Sequence, residues 1–212
     1  MYIFKTPLIF RWIFPRKLWG VSGSNKVYLT FDDGPTPEIT EFVLSELKKY
    51  NAKATFFCIG KNIKNHTEIF QQIIENGHTI GNHTQNHVNG FKTNTNDYLN
   101  NFLDCEKIIS KEIDKSKELK IFRPPYGKIL KRQAEKIREN GYKIIMYDVL
   151  SADFDKKITK EQCLQNVLKN TKKGSIIVFH DSVKASENLK FTLPKVLDYY
   201  SKKGFDFKAI HL

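Results

Sequence analysis

The sequence predicts an α/β fold, a distorted (β/α) barrel of about seven units in a single domain, on three observations. Short apolar runs alternate at an even pace with amphipathic stretches from Lys26 to the C-terminus. Those runs are apolar along their whole length, the pattern of parallel strands covered on both faces. Ionisable residues gather just past the end of run after run, where a β/α barrel brings its strand ends to one rim. A chain of 212 residues can bury one substantial core, and no Pro/Gly/Ser-rich linker divides it.

Met1–Gly20 is aromatic and aliphatic, but Lys5, Arg11, Arg16 and Lys17 interrupt every apolar run. The segment reads neither as a transmembrane helix nor as an ordinary secretory signal, so a cytoplasmic or membrane-associated location is expected. Residues 1–25 are expected to form a basic-aromatic arm packed across the underside of the domain that residues 26–212 make. Peripheral contact of residues 1–20 with a membrane surface is the other reading.

Lys26–Phe31 is the first strand. Pro37–Tyr50 follows as an amphipathic helix, with Thr36 as N-cap, Pro37 at the first helical position and Ile39, Phe42, Val43 and Leu47 on one face. Lys53–Ile59 is a second strand, and a helix over Thr67–Asn76 stops at Gly77, which suits a left-handed C-terminal cap. His78–Gly81 reads as a third strand, Asp97–Ile113 as a long helix and Leu119–Phe122 as a fourth strand. Leu130–Asn140 is a helix closed by Gly141, and Tyr142–Val149 is a fifth strand. Thr159 and Gln162 form a capping box for the helix that runs to Thr171. Ser175–Phe179 is the sixth strand, followed by a helix over Leu193–Lys203 and a last strand at Phe205–His211.

The net charge of +12 comes mostly from Lys scattered over helix faces, without a basic run interleaved with aromatics, so no nucleic-acid partner is expected. Cys58, Cys105 and Cys163 lack paired spacing and read as buried thiols rather than disulfides or zinc ligands.

Chemistry concentrates on the strand ends. Thr30-Phe31-Asp32-Asp33-Gly34-Pro35 sets two adjacent carboxylates between a strand and a turn, which can swing both toward one cleft. Two such charges repel and call for a positive partner. His83 and His87 have the spacing that puts two imidazoles on one face of a helical turn. Two nitrogens with one of the aspartates make a three-ligand set that leaves a position for water and suits catalytic zinc. The other aspartate is then free as a base, with Arg123 to keep it charged and aimed. His180 is placed as a general acid if a buried carboxylate, Asp153 ahead of Asp148, holds its imidazolium form. Asp181 falls on the same rim without a role, and His66, His78 and His211 are read as structural or exposed.

In this order and spacing the residues resemble the polysaccharide deacetylases of the NodB-homology group, carbohydrate esterase family 4, from Lys26 to the C-terminus. Thr30–Pro35 resembles the first family motif, His83-Thr84-Gln85-Asn86-His87 the second and Arg123-Pro124-Pro125-Tyr126 the third. Asp153-Phe154 stands where the fourth has Asp-Trp, and Val178-Phe179-His180 resembles the fifth. The resemblance implies a single NodB-type domain. It implies Asp32 as base, Asp33, His83 and His87 as metal ligands, with Zn2+ the first choice, and Arg123 steadying Asp32. It further implies the Tyr126 N–H in the oxyanion hole, Asp153 tuning His180, and Pro124, Tyr126 and Phe154 lining the sugar site. The implied activity is metal-dependent removal of N-acetyl groups from N-acetylglucosamine units of a peptidoglycan-like or chitin-like polymer or oligomer. The same chemistry on an O-acetyl ester, a small amide or a lipid-linked sugar, and a catalytically silent carbohydrate-binding protein, are the alternatives. A non-haem iron oxygenase would share the two-histidine, one-carboxylate set but leaves Asp32 and His180 unexplained.

Overall fold

In the computed structural model, which describes residues 4–21, 25–114 and 119–211, the chain opens with a short helix, α1 (Leu8–Ile13), and a two-residue strand, β1 (Lys17–Leu18). The domain then runs β2 (Lys26–Asp32), α2 (Ile39–Lys49), β3 (Thr55–Cys58), α3 (Gly60–Asn65), α4 (Thr67–Glu75), β4 (Thr79–Asn82) and α5 (Thr95–Glu112). It continues through β5 (Ile121–Phe122), a 3-10 turn at Pro125–Gly127, α6 (Lys131–Glu139), β6 (Lys143–Ile145) and β7 (Val149–Leu150). The chain ends with α7 (Lys160–Asn170), β8 (Ile176–His180), α8 (Ser186–Lys202) and β9 (Asp206–Phe207). Among the described residues no helix is long and apolar enough to cross a membrane.

The strands form one curled parallel sheet in the order β1-β6-β5-β4-β3-β2-β8-β7, with β9 beside the foot of β2. The expected α/β barrel is this sheet, and its apolar strands are buried as whole runs: every residue of β2 after Lys26 is buried, as are all four of β3. Phe31 stacks between Phe56 and Phe179, with ring centroids 5.0 and 6.0 Å apart, and ties three neighbouring strands together.

The expected fifth strand, Tyr142–Val149, is instead two strands at opposite ends of the strand order, β6 next to β1 and β7 at the far edge. The cause is Arg123, which donates from Nη2 to the Met146 carbonyl (2.9 Å) and from Nε to that of Ile145 (3.4 Å), taking acceptors a ladder would use. Four peptide units reach at most ~14 Å, so the two edges stand across a narrow seam. The N-terminal arm fills it. Lys17 and Leu18 pair in parallel with Ile144 and Ile145 on one side. On the other, Lys5 bridges Val149 antiparallel and the Leu150 N–H donates to the Phe4 carbonyl at 2.9 Å.

Other boundaries also move. The second helix starts at Ile39, not Pro37, and Thr36 is not its cap; Glu38 is left-handed (φ 64°) and its N–H is held by the Glu41 carboxylate at 2.8 Å. α3 lacks a full period of apolar residues and was not expected; a side chain at Gly60 would run into Gln85 and the Cys105 backbone, so tertiary packing sets this helix. The last helix begins at Ser186 rather than Leu193, with Pro194 inside it, because Leu189, Leu193, Val196, Leu197 and Tyr200 bury one continuous face. The final strand shrinks to Asp206–Phe207, beyond which the Ile210 N–H turns under the barrel to the Thr55 hydroxyl (2.9 Å). All three cysteines are buried free thiols.

Candidate active site

β2 is central in the sheet, flanked by β3 and β8, and its last residue is Asp32. Asp33 then takes a left-handed conformation (φ 86°), which breaks the strand's alternation. Asn62 Nδ2 donates to the Asp33 carbonyl at 2.7 Å, and the Asp33 N–H still reaches the Phe57 carbonyl at 3.2 Å. Gly34 follows because its N–H meets Asp181 Oδ1 at 3.1 Å so closely that an added Cβ would fall on that carboxylate. Asp181 is fully buried and its other oxygen accepts the Thr40 hydroxyl at 2.5 Å. Burial pushes the Asp181 carboxyl up to about 8, against the lowering effect of the Thr40 bond.

Arg123 is 1 % exposed and sits at the end of β5. Its Nη1 donates to Asp32 Oδ1 and to the Thr30 hydroxyl, each at 2.7 Å, and the guanidinium lies over the Phe57 ring at 4.2 Å from its centroid. Four hydrogen bonds and a stacked face hold this fork in one orientation. The sequence placed Arg123 against the base of the aspartate pair, and the structure brings it to Asp32 alone.

His83 and His87 meet, but not on a helical turn. Thr84 (φ 67°) and His87 (φ 54°) are both left-handed, and the compact loop they make brings the ring centroids to 5.1 Å. Asp33 Oδ1 stands 3.2 Å from His87 Nε2 and 3.8 Å from His83 Nε2. His83 Nδ1 lies 2.8 Å from the Arg123 carbonyl, which can only accept, so the ring proton is on Nδ1 and the Nε2 lone pair faces Asp33. Burial lowers His83 to about 4 and also lowers His87, so both rings are neutral near pH 7. Burial tends to raise Asp33, but His180, His83, His87 and the Ser182 hydroxyl outweigh it and keep the carboxyl below its usual range.

These residues fit a cation. Asp33 Oδ1 is buried without a hydrogen-bond partner among the described residues, which is costly unless something positive meets it. The donor atoms of Asp33, His83 and His87 lie within 4.8 Å of one another. Two ligands on one tetrahedral zinc ion stand ~3.4 Å apart, close to the spacings found here.

His180 ends β8. Its Nδ1 lies 2.8 Å from Asp153 Oδ1, while its own N–H donates to Asp153 Oδ2 at 2.7 Å, so one fully enclosed carboxylate grips both ring and backbone. Burial pulls the imidazole down, but Asp153, by charge and hydrogen bond, with Asp33 and Asp32, overcomes this and lifts it to about 9. Phe154 stands edge-on to this ring, centroids 4.9 Å apart. Tyr126 is left-handed (φ 59°), 60 % exposed, and lays its ring 4.5 Å from that of His87, with Pro124 buried behind it.

Asp148 is not on this rim. It bonds Lys5 and Ser175 at the opposite, N-terminal end of β8, so it cannot serve His180. His78 is structural, its Nδ1 accepting the Ala54 N–H at 3.2 Å, and His211 is exposed. Sequence reasoning missed Asn62, Thr30 and Ser182 and assigned nothing to Asp181. Only the position of Asp181 and Ser182 directly after His180 pointed to them.

The sequence model of the family described as polysaccharide deacetylase matches residues 20–145. A peptidoglycan-N-acetylglucosamine deacetylase of Bacillus cereus is 33% identical over 194 residues, covering 91% of this chain and 90% of its own. Another protein of that name from the same organism is 36% identical over 186 residues, 87% of this chain, and this chain spans 66% of its length. Among solved structures, a peptidoglycan N-acetylglucosamine deacetylase in complex with 4-naphthalen-1-yl-N-oxidanyl-benzamide superimposes with a TM-score of 0.87 at 33% identity, over 97% of this chain and 95% of that one.

Proposed function

Because this chain belongs to the polysaccharide deacetylase family, we propose that it is a hydrolase that removes N-acetyl groups from N-acetylglucosamine units of a polysaccharide or oligosaccharide, peptidoglycan-like or chitin-like. The observation that carries this reading is the Arg123-clamped Asp32 beside the orphaned Asp33 oxygen and its two neutral imidazoles.

Asp33, His83 and His87 would hold a divalent cation, Zn2+ first, whose chemistry there is to polarise the acetyl carbonyl and make water more acidic. Asp32 is the base: its carboxylate, aimed by the Arg123 fork, takes a proton from the attacking water. The Tyr126 N–H donates to the tetrahedral oxyanion, a role whose loss typically costs ~2.7–4 kcal/mol. His180, held as imidazolium by Asp153, gives its Nε2 proton to the departing sugar nitrogen as the C–N bond breaks. Water has then been added across the amide, giving acetate and a free glucosamine unit. Tyr126 and Phe154 form the wall against which the sugar rests; Pro124, expected there too, is buried and instead starts the turn that presents Tyr126.

Acetate release from N-acetylglucosamine oligomers tests this, with chelator-stripped protein, the same protein with zinc restored, and Asp32→Asn. Release that needs the cation and vanishes in Asp32→Asn is expected. No release from any oligomer, despite tight zinc binding, would turn the reading to an O-acetyl ester, a small amide, a lipid-linked sugar or a binding-only role. An N-oxidanyl amide offers two oxygens to a cation, so 4-naphthalen-1-yl-N-oxidanyl-benzamide is expected to inhibit in competition with the oligomer.

A further inference from the structure

The N-terminal arm does more than fill the seam. On α1 the inner side chain, Phe10, packs toward Trp19 and Phe14, with ring centroids 6.1 and 6.3 Å away. The outer face is apolar as well: Ile9 is 62 %, Trp12 84 % and Ile13 58 % exposed, and Phe14 beside them 40 %. Ile9, Trp12 and Ile13 have the spacing of a single helical face. A helix resting on a water-facing surface carries polar residues there. Among the described side chains of this helix, the exposed residues are aliphatic and aromatic.

A groove of about 320 Å³ begins at Ile13 and Phe14 and passes over Ile129 to α6. Its walls carry four cations, Arg16, Lys17, Lys131 and Arg138, against one carboxylate, Glu135. Lys17 is held below its usual range by burial and by the Arg138 charge, as expected where cations crowd without enough anions. An apolar ridge rimmed by basic residues is the composition of surfaces that lie in the headgroup region of a bilayer.

We infer that the outer face of α1 and this groove form a peripheral docking surface for an anionic phospholipid membrane, with Ile9, Trp12, Ile13 and Phe14 entering the acyl boundary and the four cations meeting lipid phosphates. A second copy of the chain fits the face poorly, because a two-fold contact presses the basic cluster against itself on a protein already carrying +12. A nucleic acid would leave Ile9 and Ile13 without hydrocarbon to meet. Ile129 is three residues past Tyr126, so docking here sets the loop at the cleft close to the lipid surface.

The test is flotation of the intact chain with vesicles of phosphatidylglycerol and phosphatidylcholine, against vesicles of phosphatidylcholine alone. Deleting the arm is unsuitable, since Phe4–Thr6 and Lys17–Leu18 close the barrel. Single variants are used instead, each checked for an unchanged thermal melt. Trp19 is buried, so a blue shift of tryptophan emission on binding reports Trp12. Binding selective for the anionic vesicles is expected, with the blue shift, and is expected to weaken at high salt. Lys131→Gln and Arg138→Gln should each weaken it about fivefold, and Trp12→Ser should reduce binding and abolish the shift. Wild-type protein that stays unbound, binds neutral vesicles equally, or binds unchanged as Trp12→Ser overturns the inference. So does a concentration-dependent dimer in sedimentation equilibrium that Trp12→Ser dissolves, which would assign the face to a second copy.

Discussion

Two buried carboxylates sit beside a cation at opposite ends of the barrel, and they do different work. Asp32, at the C-terminal end of β2, shares Arg123 with Thr30 and two backbone carbonyls. Asp148, near the N-terminal end of β8, pairs with Lys5 and Ser175. Arg123 is a planar fork fixed by several bonds, and it points an acceptor into a cleft. Lys5 is a flexible point charge, 32% exposed, and it fastens the arm across the seam. A buried ion pair acquires its meaning from which strand ends it occupies: function gathers at the C-terminal rim, stability at the other.

The sharpest break of this comparison is Asp32→Asn. It is expected to reduce kcat by ~10²–10⁴ and also to lower the melting temperature, because Arg123, buried and unable to reach water, is left facing a neutral amide. If acetate release survives, Asp32 is not the base. Chelation should be comparably severe for activity and likewise visible in stability, because the cation binds only the folded chain. Saturating zinc at 100 times its Kd is worth ~2.7 kcal/mol, so stripped protein should melt several degrees lower, and Asp33→Asn should remove the difference.

Asp153→Asn comes next and tests pH dependence. The folded-state value for His180, about 9, lies above the ordinary 6.5, so its contribution to stability is complete below about 6.5 and disappears as pH rises through about 9. In Asp153→Asn the alkaline limb of kcat should move to lower pH, and the stability gap to wild type should close over the same window. An unchanged pH profile would break the pairing.

At the other end of the barrel, Asp148→Asn should cost only ~1–2 kcal/mol in a denaturant titration, since Lys5 reaches water once released. Its kcat/KM should match the wild type per folded molecule, and a loss there would mean the two ends are coupled. Phe154→Trp should have the smallest effect, a lowered KM for oligomers with kcat unchanged, because an indole adds surface and a donor to a wall already in place.

Much of the rim was legible in the chain itself. Asp32, His180 and Arg123 each follow or end an apolar run, and a parallel sheet forces such positions together whatever lies between them. Sequence alone also placed most of the strands and helices from Lys26 onward, since burial on both faces writes itself as unbroken runs like Phe56-Phe57-Cys58 and Ile176–Phe179. Periodicity reports how deeply a residue is buried but not which neighbour it meets. So Tyr142–Val149 read as one strand until Arg123 took the carbonyls at its middle, and Asp148 read as a rim residue until the seam placed it below. The left-handed turns at Asp33, Thr84 and His87, which bring the donor atoms of Asp33, His83 and His87 within 4.8 Å of one another, were decided only by the tertiary structure. Non-glycine residues adopt that conformation at a cost of order 1 kcal/mol, and only contacts from distant elements such as Asn62, Arg123 and Asp181 can offset it.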